Sequence, residues 1–344
     1  MNAAWQRWLE SLGAHVEDGV VRDFGDPRGE REAARNASVL ADLSHLGVLD
    51  FTGQDAESFL QGQLSCDVGA MGADASSYGS YCTPKGRMLA DFLLWHAQGG
   101  FRMALSRSLA APIQKRLRMY VLRSKVQVAD ASDAVVLLGA SGVAASEGLA
   151  TLAAEVPQRA GEARPLGESG TLVALGSARF LLALPVESAT GLWSGLAARL
   201  RPVGSPCWEW LDIRNGVPLV TVRTQDQFVP QMANLELIGG VNFNKGCYPG
   251  QEIVARTQYL GKVKRRMFLA HLESEAPPMP GDEIFSDDIP GQASGMVVSA
   301  QPAPGGGHDL LAVVQLSSRE SSTVHLRSPD GPVLGFLELP YAVA

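Results

Sequence analysis

Between residues 77 and 106 the chain reads "SYGSYCT", "PKG", "RMLADFLLWHA", "QGG" and "FRMALS" in succession. Strand-like runs alternate here with short glycine turns. Such turns fold a strand back on itself and leave no room for the crossover that a parallel pair needs. This stretch is therefore antiparallel, and it constrains what surrounds it. Upstream, "GVLDFTG" reads as a strand and "GQDAESFLQGQL" as the helix after it, with Gln54 or Asp55 as its cap. Residues 1–45 are expected to be mainly helical and loop-like. Downstream come a helix near 108–122, strands at "KVQVAD" and "AVVLLGA", a surface helix with loop over 141–168, strands at "TLVALG" and "RFLLALP", and a helix near 187–200. Strand pairs interleaved with helices specify α+β lobes, not a doubly wound parallel sheet.

The C-terminal part has a different grain. Three prolines in "ESEAPPMPG", residues 273–281, stop regular structure. Beyond them run "GMVVSA", "DLLAVVQL", "STVHLR" and "VLGFLEL", with the turn "APGGGHD" between two of them. That pattern predicts a small all-β domain, a barrel of about 70–80 residues. A chain of 344 residues is too long for one ordinary core, so several domains are expected.

Composition removes several function classes. Net charge is −7, which argues against a whole-molecule grip on nucleic acid, though a local basic patch remains open. The most apolar run, "AVVLLGASGVAA", is too short to cross a bilayer, so no membrane partner is expected. Cys66, Cys82, Cys207 and Cys247 are few and scattered, which fits a reducing cytosol and a cytoplasmic location better than a disulfide framework. They lack C-x-x-C pairing. No phosphate-loop, dinucleotide or H-E-x-x-H pattern occurs.

One cysteine stands in unusual company. In "FNKGCYPGQEIVART", residues 243–257, Cys247 follows Lys245 and Gly246 and precedes a Tyr248-Pro249-Gly250 turn. The segment from Gln251 can run as a short helix. Cys247 then lies just before a helix N-terminus, where free N–H groups and the helix dipole favour an anion. Lys245 adds positive charge, and both effects would favour a thiolate. Gly246 and Gly250 leave room for close backbone approach. The plainer reading is a semi-buried cysteine in a turn. A Cys/His hydrolase finds no support, because none of His15, His45, His96, His271, His308 and His325 falls in a nucleophile signature.

The longer string "PQMANLELIGGVNFNKGCYPGQEIVAR" resembles the signature of the YgfZ family of folate-binding proteins, marked by K-G-C-F/Y-x-G-Q-E. "ADLSHLGVLDFTGQDAESFLQGQLSCDV", "LDIRNGVPLV" and "KRRMFLAHLE" resemble other segments of that family. The resemblance spans nearly the whole chain and is weakest over about 130–200. It implies a fold related to the T-protein of glycine cleavage, a tetrahydrofolate-dependent aminomethyltransferase. It implies a folate-binding region over 1–265, with lobes of about 1–125 plus 205–265 and of 126–204, and a C-terminal β-barrel over 266–344. It implies a role in maturing or maintaining iron–sulfur proteins, including enzymes that thiolate tRNA, with such client or assembly proteins as partners. On this resemblance Cys247 and Asp91 are the candidate reactive groups. Lys245, Gly246, Tyr248, Gly250, Gln251, Glu252, Arg256, Arg214 and Asn234 are the candidate tetrahydrofolate-binding positions, and no metal site is expected.

Departures from the T-protein pattern matter. Its G-G-x-x-D-D stretch corresponds to "GRMLAD", where Ala90 replaces one acid and Asp91 remains. Its R-x-E-x-G corresponds to "DIRNG", with Arg214 at the glutamate position. A carboxylate accepts two hydrogen bonds from a pterin edge, whereas arginine only donates. Aminomethyl transfer through Asp91 is thus the second reading, behind a folate-binding accessory protein. Plain alternatives stand beside each residue: Asp91 as a solvent-facing strand position, and Glu252 with Arg256 as an i,i+4 pair. Two basic groups, Lys115, Arg116, Arg118, Arg123, Lys125 and Lys262, Lys264, Arg265, Arg266, fit solvated faces, a folate polyglutamate tail, or an RNA or acidic protein partner. Direct RNA binding is the third reading.

Overall fold

A computed structural model describes residues 1–259, 261 and 263–343. The chain forms two compact units: Met1–Phe59 with Gly69–Ser77 and Leu93–Trp208, and Leu60–Val68 with Tyr78–Phe92 and Glu209–Ala344.

The first unit holds a six-stranded sheet in the order Ala163–Leu166, Gly170–Gly176, Arg179–Pro185, Val135–Ser141, Val39–Asp42, Arg201–Val203. All neighbours are antiparallel except the last pair. Its core packs the strands against the helices Ala3–Ser11, Val143–Leu149 and Val186–Ala197 through Trp5, Leu9, Leu138, Leu182 and Trp193. Trp5 stacks on Trp8 with ring centroids 5.0 Å apart, and Trp193 meets both edge-on. The Trp5 indole N–H donates to buried Asp42 Oδ2 at 2.7 Å, so the aromatic end-piece is also fixed in direction.

Residues 1–45 contain the expected helices, Ala3–Ser11 and Pro27–Asn36, but also strands at His15–Glu17, Val20–Asp23 and Val39–Asp42. The first two form a hairpin whose turn residues, Asp18 and Gly19, both have positive φ (51° and 71°). An Asp-Gly pair is a strong tight-hairpin signal, and here it overrides the surrounding helical pattern. The loop expected over 141–168 likewise hides the strand Ala163–Leu166, an edge strand too short to show a period.

The same unit contains the strands Gly100–Ser106, Leu46–Thr52 and Gln127–Asp130, antiparallel in that order with Gln127–Asp130 at the sheet edge. The helix Arg107–Arg118 packs on them by its buried face, Leu109, Ala110, Ile113 and Leu117.

The second unit contains residues 78–82 of the strand Ser76–Cys82 and 88–92 of the strand Met88–Ala97, which turn back at 83–87, where Thr83 N donates to Arg87 O at 2.8 Å and Gly86 has φ 72°. The C-terminal sheet has six strands in the order Val324–Leu326, Glu283–Ser286, Gly295–Pro302, His308–Gln315, Arg265–Leu272, Gly335–Leu337, all antiparallel. It curls as a half-barrel around Phe268, Ile284, Leu310, Ala312 and Leu326. A bulge between Val297 and Ser299 sharpens the curl. The proline-rich stretch 273–281 runs between Arg265–Leu272 and Glu283–Ser286, two strands of this sheet. Among the described residues no helix is long and apolar enough to cross a membrane.

Candidate functional site

The loop around Cys247 is held by what flanks it. Cys247 and Gly246 are exposed, while Lys245 and Tyr248 on either side are buried. The Lys245 ammonium donates to three backbone carbonyls, Gln61 O at 2.8 Å, Leu64 O at 2.7 Å and Cys66 O at 2.7 Å. Three N–H donors thus meet three acceptors, which is the condition for tolerating a buried charge. Burial pulls the Lys245 pKa down from the usual lysine range, while Cys66 and Asp67 pull it back up. The Tyr248 ring lies 5.4 Å from the ammonium and completes the cage with a cation–π contact. Burial pushes the Tyr248 phenol upward, with Cys82 and Cys66 acting in the same direction, so it is a neutral packing element at ordinary pH.

Further ties fix the loop's far side. Gln251 donates its side-chain N–H to Lys245 O at 3.1 Å. Phe243 meets Tyr259 edge-on at 6.1 Å, closing the loop's start against the end of the helix Gln251–Tyr259. Gly250 has φ 82°, and a Cβ there would fall 2.4 Å from Thr83 O and 2.6 Å from Gly86 Cα, so the turn lies flat on the 83–87 hairpin turn. Gly246 is different: an added Cβ would meet nothing within 4 Å. The sequence expectation placed Lys245 as a charge aimed at the thiol. The structure shows its ammonium committed to the 61–66 carbonyls, so its role at this loop is to anchor it. Those carbonyls were invisible in sequence because any side chain can carry them.

The other three cysteines are buried. Burial pushes the Cys82 and Cys207 thiols to about 12. Cys247 is thus the exposed thiol of the chain. Among the described residues no group of three or more His, Cys, Asp or Glu side chains is placed to hold a metal ion.

Asp91 is buried in the strand Met88–Ala97, not solvent-facing. Its Oδ1 accepts from Val220 N at 2.7 Å. Burial raises its pKa to about 7, with Asp212 adding to the rise and the Val220 N–H opposing it. Its strand is held by segment 225–228: Asp226 N bonds Met88 O, Met88 N bonds Phe228 O, and Gln225 Nε2 bonds Leu89 O. Its neighbour Ala90 is fully buried.

Arg214 closes the helix Ser205–Arg214 and lies 3.6 Å from Asp309 Oδ2, on the C-terminal sheet. That oxygen also accepts the Trp210 indole N–H at 2.8 Å, and Asp309 Oδ1 meets His271 Nδ1 at 2.8 Å. Burial pulls His271 down, but its bonds to Asp309 and Glu273 win and raise its pKa. The Trp210–Asp309–His271 group had no motif to announce it. Asn234 stands in the left-handed region at φ 56° and donates to Met267 O at 2.7 Å, tying the short helix Pro230–Ala233 to the C-terminal sheet. Glu252 and Arg256 lie on the exposed face of Gln251–Tyr259. Of the second basic group, Lys262 lies outside the described residues, and Arg266 pairs with Glu236 and with Gln231 O.

The chemistry of these groups fits a pterin in part. Asp91 supplies one buried carboxyl near neutrality, able to accept or donate. Arg214 supplies donors only, and it is drawn to Asp309.

The family model for the GCVT N-terminal domain matches residues 22–167. The tRNA-modifying protein YgfZ of Sodalis glossinidius is 32% identical over 309 residues, covering 89% of this chain and 93% of that protein. The protein of the same name from Yersinia pseudotuberculosis is 33% identical over 308 residues, again covering 89% and 93%. Among solved structures, glycine cleavage system aminomethyltransferase T from Bartonella henselae matches with a TM-score of 0.82 at 20% identity, covering 99% of this chain and 97% of that one. At that identity the likeness establishes the fold, which is the T-protein fold of mixed helices and sheets.

Proposed function

The chain belongs to the YgfZ family, and from that premise we propose that it is a tetrahydrofolate-binding accessory protein for iron–sulfur proteins, with Cys247 as its working thiol. The relatives are named for tRNA modification. Enzymes that thiolate tRNA are the client class this reading favours, and the iron–sulfur assignment itself rests on the family resemblance. The observation that carries the reading is the Cys247 loop: one exposed thiol between two buried anchors. A rigid loop that holds a thiol in solvent lets it meet a partner without ordering cost on encounter.

Tetrahydrofolate, when bound, supplies a carrier for one-carbon units. Asp91 is the residue of this chain suited to hold it, by a hydrogen bond from or to the pterin. Gly246 offers open backbone beside Cys247. Aminomethyl transfer is disfavoured by Ala90 and Arg214 standing where the T-protein pattern has acids.

The test is a calorimetric titration of wild type and Cys247→Ala with tetrahydrofolate, beside a cellular assay of an iron–sulfur enzyme. Both proteins are expected to bind folate, and only wild type to restore the enzyme. If neither binds, the folate half of the reading falls. If both restore the enzyme, the thiol half falls.

A further inference from the structure

The loop that follows the helix Arg107–Arg118 combines features that stability does not call for. From 115 to 125 the sequence is "KRLRMYVLRSK", with cations at Lys115, Arg116, Arg118, Arg123 and Lys125 and no carboxylate, in a chain of net charge −7. Lys115, Arg118, Arg123 and Lys125 are exposed. Cations in a last helical turn complement the helix dipole, which accounts for Lys115, Arg116 and Arg118. It does not account for Arg123 and Lys125, which lie beyond the helix. Nor does it account for Met119, Tyr120 and Leu122, which are 61%, 45% and 88% exposed.

Leu122 is the least explicable as packing. It has φ 45°, a left-handed conformation that a branched side chain adopts at a cost of about 1 kcal/mol or more. The outcome is an apolar side chain in water. Strain and exposure at one residue point to a face built for something else.

Beside these residues lies a cleft of about 560 Å³, between the helix end and the edge strand Gln127–Asp130. Gln114, Arg118, Val121, Val126, Val128 and Asp130 are among its walls. That volume is within the range of small-ligand sites. Its lining is mixed: Val121, Val126 and Ala129 offer apolar contact to a planar ring, and Asp130 brings a carboxylate that accepts from exocyclic amino groups.

We propose that this face, from Lys115 to Asp130, binds single-stranded RNA. Lys115, Arg118, Arg123 and Lys125 hold phosphates, Tyr120 stacks on one base, and the cleft takes a neighbouring base. Cations interleaved with an exposed aromatic are the elements by which unpaired strands are held. A bilayer surface or an acidic peptide would match the cations, but neither supplies the flat, amino-bearing ring that the cleft and Asp130 suit. This proposal goes beyond the folate and thiol reading and does not depend on it.

The test is fluorescence anisotropy of the full chain with a labelled single-stranded RNA of about 12 nucleotides, over a salt series. Wild type is expected to bind with affinity falling by a log–log slope of about 3, four phosphate contacts at about 0.7 each. The double variant Arg118→Glu/Arg123→Glu should abolish binding. Tyr120→Ala should weaken it roughly 5- to 150-fold, the loss of one stacked base, and leave the slope unchanged. All three residues are exposed, so circular dichroism should match wild type and Tyr120→Ala should melt with it, while Arg118→Glu lowers the melting point slightly through the helix dipole. Three results would each overturn the proposal: no binding by wild type, binding undiminished in both variants, or equal binding of anionic vesicles or polyglutamate with the same dependence on Tyr120. Cys247→Ala should bind this RNA as wild type does, so failure here leaves the thiol reading untouched.

Discussion

Lys245 Nζ lies 2.7 Å from the carbonyl oxygen of Cys66, and the same ammonium also reaches Leu64 O and Gln61 O. A side chain two residues from the exposed thiol is thus stitched into a segment some 180 residues away in sequence. Lys245→Met keeps the stem and removes the charge, leaving three carbonyls without their donor. The expected cost is about 2–4 kcal/mol by denaturant unfolding. The Cys247 loop should loosen with it, seen as faster amide exchange over 243–250. Lys245→Arg should not rescue, because a planar fork cannot present three donors to a cage shaped for a compact ammonium.

The thiols should separate cleanly by reactivity. Under native conditions iodoacetamide is expected to modify Cys247, while Cys82 and Cys207, pushed to about 12 by burial, stay unmodified until the chain unfolds. Peptide mass spectrometry after timed alkylation reads this directly. Cys247→Ser should change unfolding free energy by no more than about 0.5 kcal/mol, since the side chain is exposed. Modification of Cys82 at a native rate would mean the loop region opens far more than its packing allows.

Much of this was legible beforehand. The glycine turns at 84–86 and 98–100 fixed antiparallel pairing, and the local string singled out Cys247 among the cysteines, though its exposure came only with the structure, the plainer sequence reading being a semi-buried turn residue. Partners supplied by backbone were not legible. The cage around Lys245 consists of carbonyls of Gln61, Leu64 and Cys66, which carry no side-chain signature. Arg214 could be read as misplaced for a pterin, but its partner Asp309 lies 95 residues on and is joined only by tertiary folding. Asp91 looked like an ordinary strand position because every second strand residue can face solvent. Its strand is instead buried along its first eight residues, so alternation does not apply.

The two glycines of the loop should behave oppositely. Gly250→Ala forces a Cβ to within 2.4 Å of Thr83 O at a φ of 82°, and the opposing atoms are backbone that cannot swing away. A loss of about 2 kcal/mol or more is expected in denaturant melts. Gly246→Ala meets nothing within 4 Å and should leave stability within about 1 kcal/mol of wild type. If a partner or folate approaches the backbone beside Cys247, Gly246→Ala should still weaken that binding in calorimetry. Equal behaviour of the two variants in melting would contradict the turn geometry.

Asp91 makes stability depend on pH in a direction opposite to the usual carboxylate. Its native pKa is raised to about 7 by burial, above the value near 3.8 that it has when unfolded. Between those values the unfolded chain has lost the proton and the native chain retains it. The native state then binds more protons than the unfolded one, so stability falls as pH rises through this window and levels off above about 7. The gap corresponds to a penalty of up to about 4 kcal/mol at pH 8. Asp91→Asn keeps an oxygen to accept the Val220 N–H and cannot ionise. It should melt like wild type near pH 4 and be more stable than wild type at pH 8, with the difference growing between. Denaturant titrations at several pH values check this. A pH-independent difference would place Asp91 in a wetter site than its burial implies, and would remove it as a group able to give or take a proton near neutrality.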